Sequence, residues 1–428
     1  MSYRIAGIDV HKKMLAVVIS NVEVVGEFRF QRRRFQTGPE QLRRLAEWLV
    51  EQEVEEVVME STAQYWQPVW AMLEEHWQPQ RRNRPEAGKK AGELHLAQAQ
   101  SNKGAPGRKN DFRDAERLVK RLVAEELTLS FVPDAEQRLW RTITHRRVQL
   151  MRDKSRIQSQ LESILEQAHI KLASVVSDLF GVSARRMLQA IADGESDPEV
   201  LAAMAESNLQ ATPAQLCDAL SACRHWQPIY RELVEGIMKH LKLIEQQAEL
   251  LERRAAELLA KYQDAVERLA EMPGMGTTSA LQTIAEVGPE AKNFKTPGEL
   301  CSWVGVIPGE TVTAEQNASS HSPKGNRQMR RILCEAAHAA VKTEGSIFEV
   351  KLKKFVKHQK YHEAVWSVAH FMCELIWKIL HQGVRYEERG PGVKAKAQKK
   401  RIQRQIRELK ALGYDVIERS LPAKPCPA

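Results

Sequence analysis

No stretch of eighteen consecutive apolar residues occurs in this chain, so it has no hydrophobic helix of bilayer-spanning length. The N-terminus carries no secretory leader pattern, and the chain therefore reads as soluble and cytoplasmic. Its six cysteines (Cys217, Cys223, Cys301, Cys334, Cys373 and Cys426) form no Cys-x-x-Cys pair. That leaves no zinc-binding spacing, and without a leader they read as reduced core thiols rather than disulfides. Acidic residues are in deficit, 55 against 64 Lys and Arg, giving a net charge of +9 and a pI near 9.2. The surplus favours a polyanionic partner, although many ribosomal and chaperone proteins are basic as well.

At 428 residues the chain exceeds one compact core and should divide into two to four domains. In the first sixty residues RIAGIDVH, LAVVIS, VGEFRFQ and EEVVMES read as strands. GPEQLRRLAEWLVEQ follows the turn signal Gly38-Pro39 with helical spacing, and AQYWQPVWAMLEEHW reads as a helix with Pro68 in its early part. Strands interrupted by helices indicate an α/β layer with a mixed sheet. From about Ala115 the pattern is nearly all helical, with a stripe at Ile157, Leu161, Ile164, Leu165 and Ala168. Tyr230, Val234, Ile237, Leu241, Ile244, Ala248, Leu251, Ala255 and Leu258 alternate spacings of four and three, a coiled-coil seam. Such an arm closes either on a helix of its own chain or on another subunit.

A third region begins near Arg268. MPGMGTTSALQTIAEVG is a glycine turn leading into a helix, similar to a helix-hairpin-helix. Gly274 and Gly276 would let the backbone approach a nucleic-acid phosphate at a free helix N-terminus. Beyond Arg389, GPGVKAKAQKKRIQRQIRELK holds a single acid, Glu408, and is either a solvated helix or a phosphate-binding arm.

Four carboxylates stand out. Asp9 ends the first strand inside an apolar run and Glu60 ends a later one, where an acid is costly to bury unpaired. In GRKNDFRDAERL, Asp111 and Asp114 fall one turn apart on one helix face. Acids at a helix start ordinarily only complement the macrodipole. Four acids converging at one sheet edge would instead repel each other unless divalent cations neutralised them, and two Mg²⁺ ions are the common solution for phosphodiester chemistry.

These residues carry a resemblance. GIDVHKK, VVMEST and GRKNDFRDAERL resemble the three acidic blocks of the DEDD transposases of the insertion-sequence 110 family. MPGMGTTSALQTIAEVGP, LCSWVGVIPG and SPKGNRQMRRILCEAAHAAV resemble that family's second block. The resemblance implies a RuvC/RNase H-like catalytic domain, with Asp9, Glu60, Asp111 and Asp114 holding Mg²⁺, for which Mn²⁺ could substitute. It further implies a serine nucleophile from the C-terminal domain, and donor and target DNA selected by a noncoding bridge RNA. A homo-oligomer, dimer or tetramer, would work on the bacterial nucleoid, with no membrane involved. Counting from Pro308, the serine position falls on Thr313; a loop shift would bring Ser319 or Ser320 there, and an inactive copy is the remaining alternative. The ordinary reading of Ser319, Ser320 and Ser322 is loop polarity. Threonine keeps the hydroxyl chemistry but is stiffer at χ1.

Lys324, Arg327, Arg330 and Arg331 follow this loop and could contact the scissile phosphate, as could Arg108 and Lys109 beside the aspartates. Clusters at Arg32 to Arg34, Arg81 to Arg84 and Lys351 to Lys360 suit an RNA-laden surface. His11 is either a site group or a strand-end polar residue. His338 and His370 read as core histidines, and Trp66, Trp70 and Trp77 as core aromatics. The expected divisions are a catalytic domain over 1–125, a helical coiled-coil arm over 126–265, a small all-α transposase domain over 266–388 and a basic tail over 389–428. A metal-dependent nuclease of the Holliday-junction-resolving type and a decayed nucleic-acid-binding copy are the rival readings.

Overall fold

The structure, a computed structural model, describes residues 3–22, 28–61, 63–77, 93–99, 102, 110–307, 312–313, 316–317, 322–390 and 395–416. Its contacts divide the chain into two compact units, Met1–Ala135 and Glu136–Ala428. The first extends past the expected end at 125, and the expected divisions at 265 and 388 fall inside the second.

In the first unit, β1 (Tyr3–Val10), β2 (Met14–Val22) and β3 (Arg29–Gln36) form an antiparallel meander. Next come α1 (Pro39–Glu51), β4 (Glu56–Ser61) and α2 (Trp66–Met72), which runs into a π-helical turn at Leu73–Trp77. β5 (Glu93–Ala97), α3 (Asp111–Val123) and β6 (Leu129–Ser130) complete the unit. The mixed sheet has the order β3-β2-β1-β4-β5-β6, with β4 parallel to both β1 and β5. β1 is apolar on both faces because both are covered. Ala6, Ile8 and Val10 pack on the side of α1 and α2, with Trp70 and Trp77 buried in the same core. Ile5 packs with Ala115 and Val119 of α3 on the other side. Side chains alternate along a strand, so Gly7 and Asp9 share the face of Ile5 and look toward α3.

The second unit is helical. α4 (Ala135–Gln167) is followed by the short helices α5 (Leu172–Val175), α6 (Val182–Asp193), α7 (Pro198–Ala203) and α8 (Pro213–Leu220), and then by the long α9 (Pro228–Leu258). Ion pairs Arg147–Glu252 at 3.0 Å and Lys154–Glu245 at 2.7 Å show that α4 and α9 run antiparallel. Leu150, Ile157, Leu161 and Leu165 share a core with Val234, Met238, Leu241, Ile244 and Ala248. The heptad stripe thus packs within the chain, with Met238 buried and the expected Ile237 only partly covered. Ile229, Leu233, Leu243 and Leu250 of α9 remain exposed.

The rest of the unit comprises α10 (Gln263–Ala270), α11 (Thr277–Val287), α12 (Pro297–Val304), the short hairpin β7 (Val312–Thr313) and β8 (Gln316–Asn317), α13 (Arg327–Ala340), α14 (Ile347–Phe355), α15 (Tyr361–His381) and α16 (Ala395–Ala411). α15 is its apolar axis, with Val368, Ala369, Met372, Cys373 and Ile376 fully buried. Among the described cysteines none is paired; Cys223, Cys301 and Cys373 are buried, as expected of core thiols. Among the described residues, no helix is long and apolar enough to cross a membrane.

Candidate active site

The parallel pairing of β1 and β4 sets Asp9 directly beside Glu60, at the carboxyl ends of two adjacent strands, where ligands of open α/β sheets bind. Glu60 lies two residues beyond Val58, which packs with Leu118 of α3, so both acids face that helix. Gly7 explains how close α3 comes. A Cβ there would lie 2.8 Å from Val119 Cγ2 and nearer still to the carbonyl oxygen of Ala115, so only glycine admits this approach. α3 begins at Asp111, and its cap is supplied by Asn110, whose side chain accepts the Phe112 N–H at 3.1 Å. Capping is therefore not what Asp111 and Asp114 do here.

The acids feel one another's charge. Burial pushes the Asp9 carboxyl above its ordinary pKa; Asp114 and Asp111 push it the same way, while His11 pulls it back. Burial likewise raises Glu60, with Asp9 and Asp114 adding to the rise and Arg117 opposing it. Like charges gathered in a half-buried site are what a divalent cation relieves. Asp9, His11 and Asp111 bring ligand atoms within 4.8 Å of one another, close enough to hold one ion. Glu60 and Asp114 stand outside this tightest set, yet near enough for their charges to be felt. His11 Nε2 donates to Asp9 Oδ2 at 3.0 Å and lies 3.5 Å from Asp111 Oδ1, while Arg117 is paired with Asp114. The donor set fits a divalent metal. His11, left between two readings by the sequence, lies beside both aspartates; its place two residues after Asp9 was the available signal. Glu56, Glu93 and His95 form a second close group, in which ion pairs of 2.8 and 3.4 Å from His95 to the two carboxylates account for the arrangement.

Other expected positions fare differently. Arg108, Lys109, Ser319, Ser320 and the run Arg81 to Arg84 lie outside the described residues. Thr313 falls in β7, paired with Gln316 of β8. Lys324 and Arg327 are exposed. Arg330 and Arg331 were expected to reach phosphate, but both are half-buried and hold protein partners. Arg330 donates to the carbonyls of Gly305 and Pro323, and Arg331 to Gln282 and Glu335. Gly274, at φ +81°, makes its close approach to α13 rather than to a ligand: a Cβ would lie 2.8 Å from Ala340 N. A Cβ on Gly276 would lie 3.7 Å from a carboxylate oxygen of Glu408, so the basic tail folds back beside the turn. There Gln405 bonds the Ala270 carbonyl and Tyr414 donates to that of Ala256 at 2.9 Å.

The sequence did not single out Glu286. It is 2 % exposed, and its carboxylate accepts from His145 and from Asn326 Nδ2 at 2.9 Å, with Arg141 Nε at 3.5 Å. Burial pushes this carboxyl up, but His145, Arg141 and Asn326 outweigh it and hold the group below its ordinary pKa. Asn326 in turn caps α13, accepting from the Gln328 and Met329 N–H groups. Nothing in the spacing of AEVG pointed to these partners.

The sequence is similar to known transposases. A family model for DEDD transposases of the IS110 type matches residues 6–170, and one described as transposase of the IS116/IS110/IS902 family matches residues 266–351. The chain is 21% identical over 286 residues to a "probable family 20 transposase" of Pseudomonas aeruginosa, covering 65% of this chain and 74% of that protein. It is 24% identical over 132 residues to the transposase for insertion sequence element IS1111A of Coxiella burnetii, covering 30% of this chain and 36% of that one. A 44.8 kDa protein of insertion element IS116 from Streptomyces clavuligerus is 27% identical over 118 residues, covering 27% and 29%. An α/β unit with converging acids, followed by a helical unit, is here a DNA transposase. The chain belongs to the IS110 family of insertion-sequence transposases, and that family implies use of a divalent metal.

Proposed function

We propose that the protein is a recombinase that cuts and rejoins DNA through a protein-bound intermediate, with Asp9, Glu60, Asp111 and Asp114 as metal ligands and Thr313 as nucleophile. The observation that carries the reading is the in-register pairing of Asp9 with Glu60 under a helix that begins with Asp111. The strand order 3-2-1-4-5 supports the RuvC/RNase H-like assignment. Mg²⁺, or Mn²⁺ in its place, would activate the hydroxyl and stabilise charge on the leaving oxygen.

The chain's own residues do the rest. The Thr313 hydroxyl loses its proton and attacks a DNA phosphorus. A Thr–O–P bond forms as the P–O3′ bond breaks, and the 3′ oxygen leaves to take up a proton. A 3′ hydroxyl from a different DNA end then attacks the phosphothreonine, restoring the threonine and joining the new ends. No water is consumed and no bond energy is lost, which suits strand exchange better than hydrolysis. Exposed Lys324 and Arg327 would contact DNA phosphates near the loop. The acids and the hydroxyl belong to different compact units, and we assign the assembly of complete sites to a multimer, a tetramer with a bridge RNA choosing donor and target.

The test is a trapping assay. Full-length protein, RNA transcribed from the element's noncoding flank, Mg²⁺ and a nicked duplex carrying the element's ends are mixed, and denaturation-resistant adducts are mapped by peptide mass spectrometry. An adduct on Thr313 is expected. One on Ser319 or Ser320 would move the nucleophile within the loop. Cutting without any adduct would show hydrolysis of the Holliday-junction-nuclease type. Activity appearing only in Thr313→Ser would mark a decayed copy.

A further inference from the structure

The segment holding Thr313 is bounded by two stems that touch backbone to backbone. Gly305 sits at φ +78°, and a Cβ on it would lie 2.6 Å from the Pro323 oxygen; one on Gly325 would lie 2.6 Å from Gly305 N. No side chain fits between them. The Asn326 N–H donates across the gap to the Trp303 carbonyl at 3.1 Å. A single nitrogen of Arg330, Nη1, donates to carbonyls on both stems, that of Gly305 and that of Pro323, the latter at 2.9 Å. Its guanidinium carbon lies 4.7 Å from the ring centre of Trp366. Trp366 Nε1 donates to Ser322 Oγ on one stem at 2.8 Å, and His370 Nδ1, one turn further along α15, meets the Val306 carbonyl on the other at 2.9 Å.

These contacts reach beyond the helices' own main-chain ladders, to the stems of the loop. Bringing an arginine into a half-buried site to reach two neutral carbonyls costs desolvation. Fixing both ends of one loop with a flat cation stacked on Trp366 is what the placement achieves, and a lysine ammonium lacks the plane that stacks. We propose that Arg330 and Trp366 are positioning residues that hold together the two stems of the loop bearing Thr313, and so set the rate of attack on DNA. The inference rests on the assignment of Thr313 as the nucleophile and deepens it. It also gives Arg330 a role other than phosphate binding.

Adduct formation separates the possibilities. The rate of the covalent adduct is measured at saturating nicked duplex, alongside the Kd for that duplex and the unfolding midpoint. Trp366→Phe keeps the packed ring and deletes one donor; Ser322→Ala deletes its acceptor. Each should slow the adduct severalfold, with Kd unchanged and the midpoint lowered only by the small amount one hydrogen bond contributes to the fold. The double variant should be no slower than either single one, because both remove the same bond. Arg330→Gln should slow it on the order of 100-fold, as expected for a nucleophile displaced by about 1 Å, and Arg330→Lys should recover part of the loss. Wild-type adduct rates in Trp366→Phe and Ser322→Ala would overturn the proposal, as would a loss that follows Kd or the midpoint. Thr313→Val is the separate control: an adduct that survives it, or a wild-type protein that forms none, removes the nucleophile assignment itself and this inference with it.

Discussion

Gly7→Ala tests how the acids are brought together. Glycine at this point of β1 lets α3 lie against the strand, and the added methyl would meet Val119 Cγ2 at 2.8 Å with the Ala115 carbonyl oxygen closer still. Ordinary carbon contacts start near 3.5 Å, so α3 must lift by about 1 Å. The oxygen belongs to the helix backbone and cannot swing aside. Overpacking of this kind costs about 1–3 kcal/mol. The same shift carries Asp111 and Asp114 away from Asp9 and Glu60, and a 1 Å misplacement of reacting groups costs roughly 100-fold in rate. Urea unfolding of the full chain reads the first number, and cleavage of the nicked duplex at saturating Mg²⁺ reads the second. Gly236→Ala is the control. It lies in α9 with nothing within 4 Å of its would-be Cβ, so it should stabilise by about 0.5–1 kcal/mol and leave cleavage unchanged. A Gly7→Ala protein with wild-type stability and wild-type cleavage would refute the claim that this close approach sets the site.

Three further outcomes follow from the same structure. Mg²⁺ at a hundred times its Kd should stabilise the protein by about 2.7 kcal/mol, and Asp9→Asn should abolish that increment while raising the midpoint of the metal-free form, read by thermal unfolding with and without EDTA. Glu286→Ala should cost about 3–5 kcal/mol by removing a buried carboxylate shared by His145, Asn326 and Arg141, with Glu286→Gln milder, as measured by urea titration. The third concerns acid. Hydrogen bonds from Arg185 and then Lys154 hold Glu245 down to about 2, against the opposing effect of burial. A depressed carboxyl stabilises above its unfolded pKa, here 4.5, and that contribution is lost as pH falls toward 2. The three side chains are partly exposed and screened by solvent, so the contribution is at most about 1 kcal/mol. Glu245→Gln should therefore lower stability by a constant amount, at most about 1 kcal/mol, between pH 6 and 8, roughly the range where such carboxyls are fully ionised. It should converge on the wild type as pH falls from 4.5 to 2, flattening the curve there.

The strands that bear the acids were legible in sequence because β1 and β4 are short apolar runs with an acid next to their end, a contrast that few other environments produce. α3 was legible from its polar start and its Ala115, Leu118 and Val119 face. β5 was not, since ELHLA is brief and carries a glutamate and a histidine that mask its alternation. The seam of α9 was read correctly at Val234, Leu241, Ile244 and Ala248 and slipped by one residue at Met238, where α6 and the other short helices widen the buried face. Arg330 and Gly274 were misread for a common reason. Their partners are main-chain atoms of distant segments, and a sequence carries no mark of which carbonyl a guanidinium will reach or which helix will press on a glycine.

The ion pairs between α4 and α9 recur seven residues apart on each helix, at 147 and 154 on one and at 252 and 245 on the other. Adding or deleting a heptad in both helices together would slide the block of short helices α5 to α8 by about 10 Å along the axis and turn it by only about 20°. An insertion of a single residue in one helix would instead rotate its seam by about 100° and expose Leu161 or Leu241. The reach of this arm is therefore adjustable in discrete steps, a ruler whose length can change between related elements while what it carries keeps its orientation.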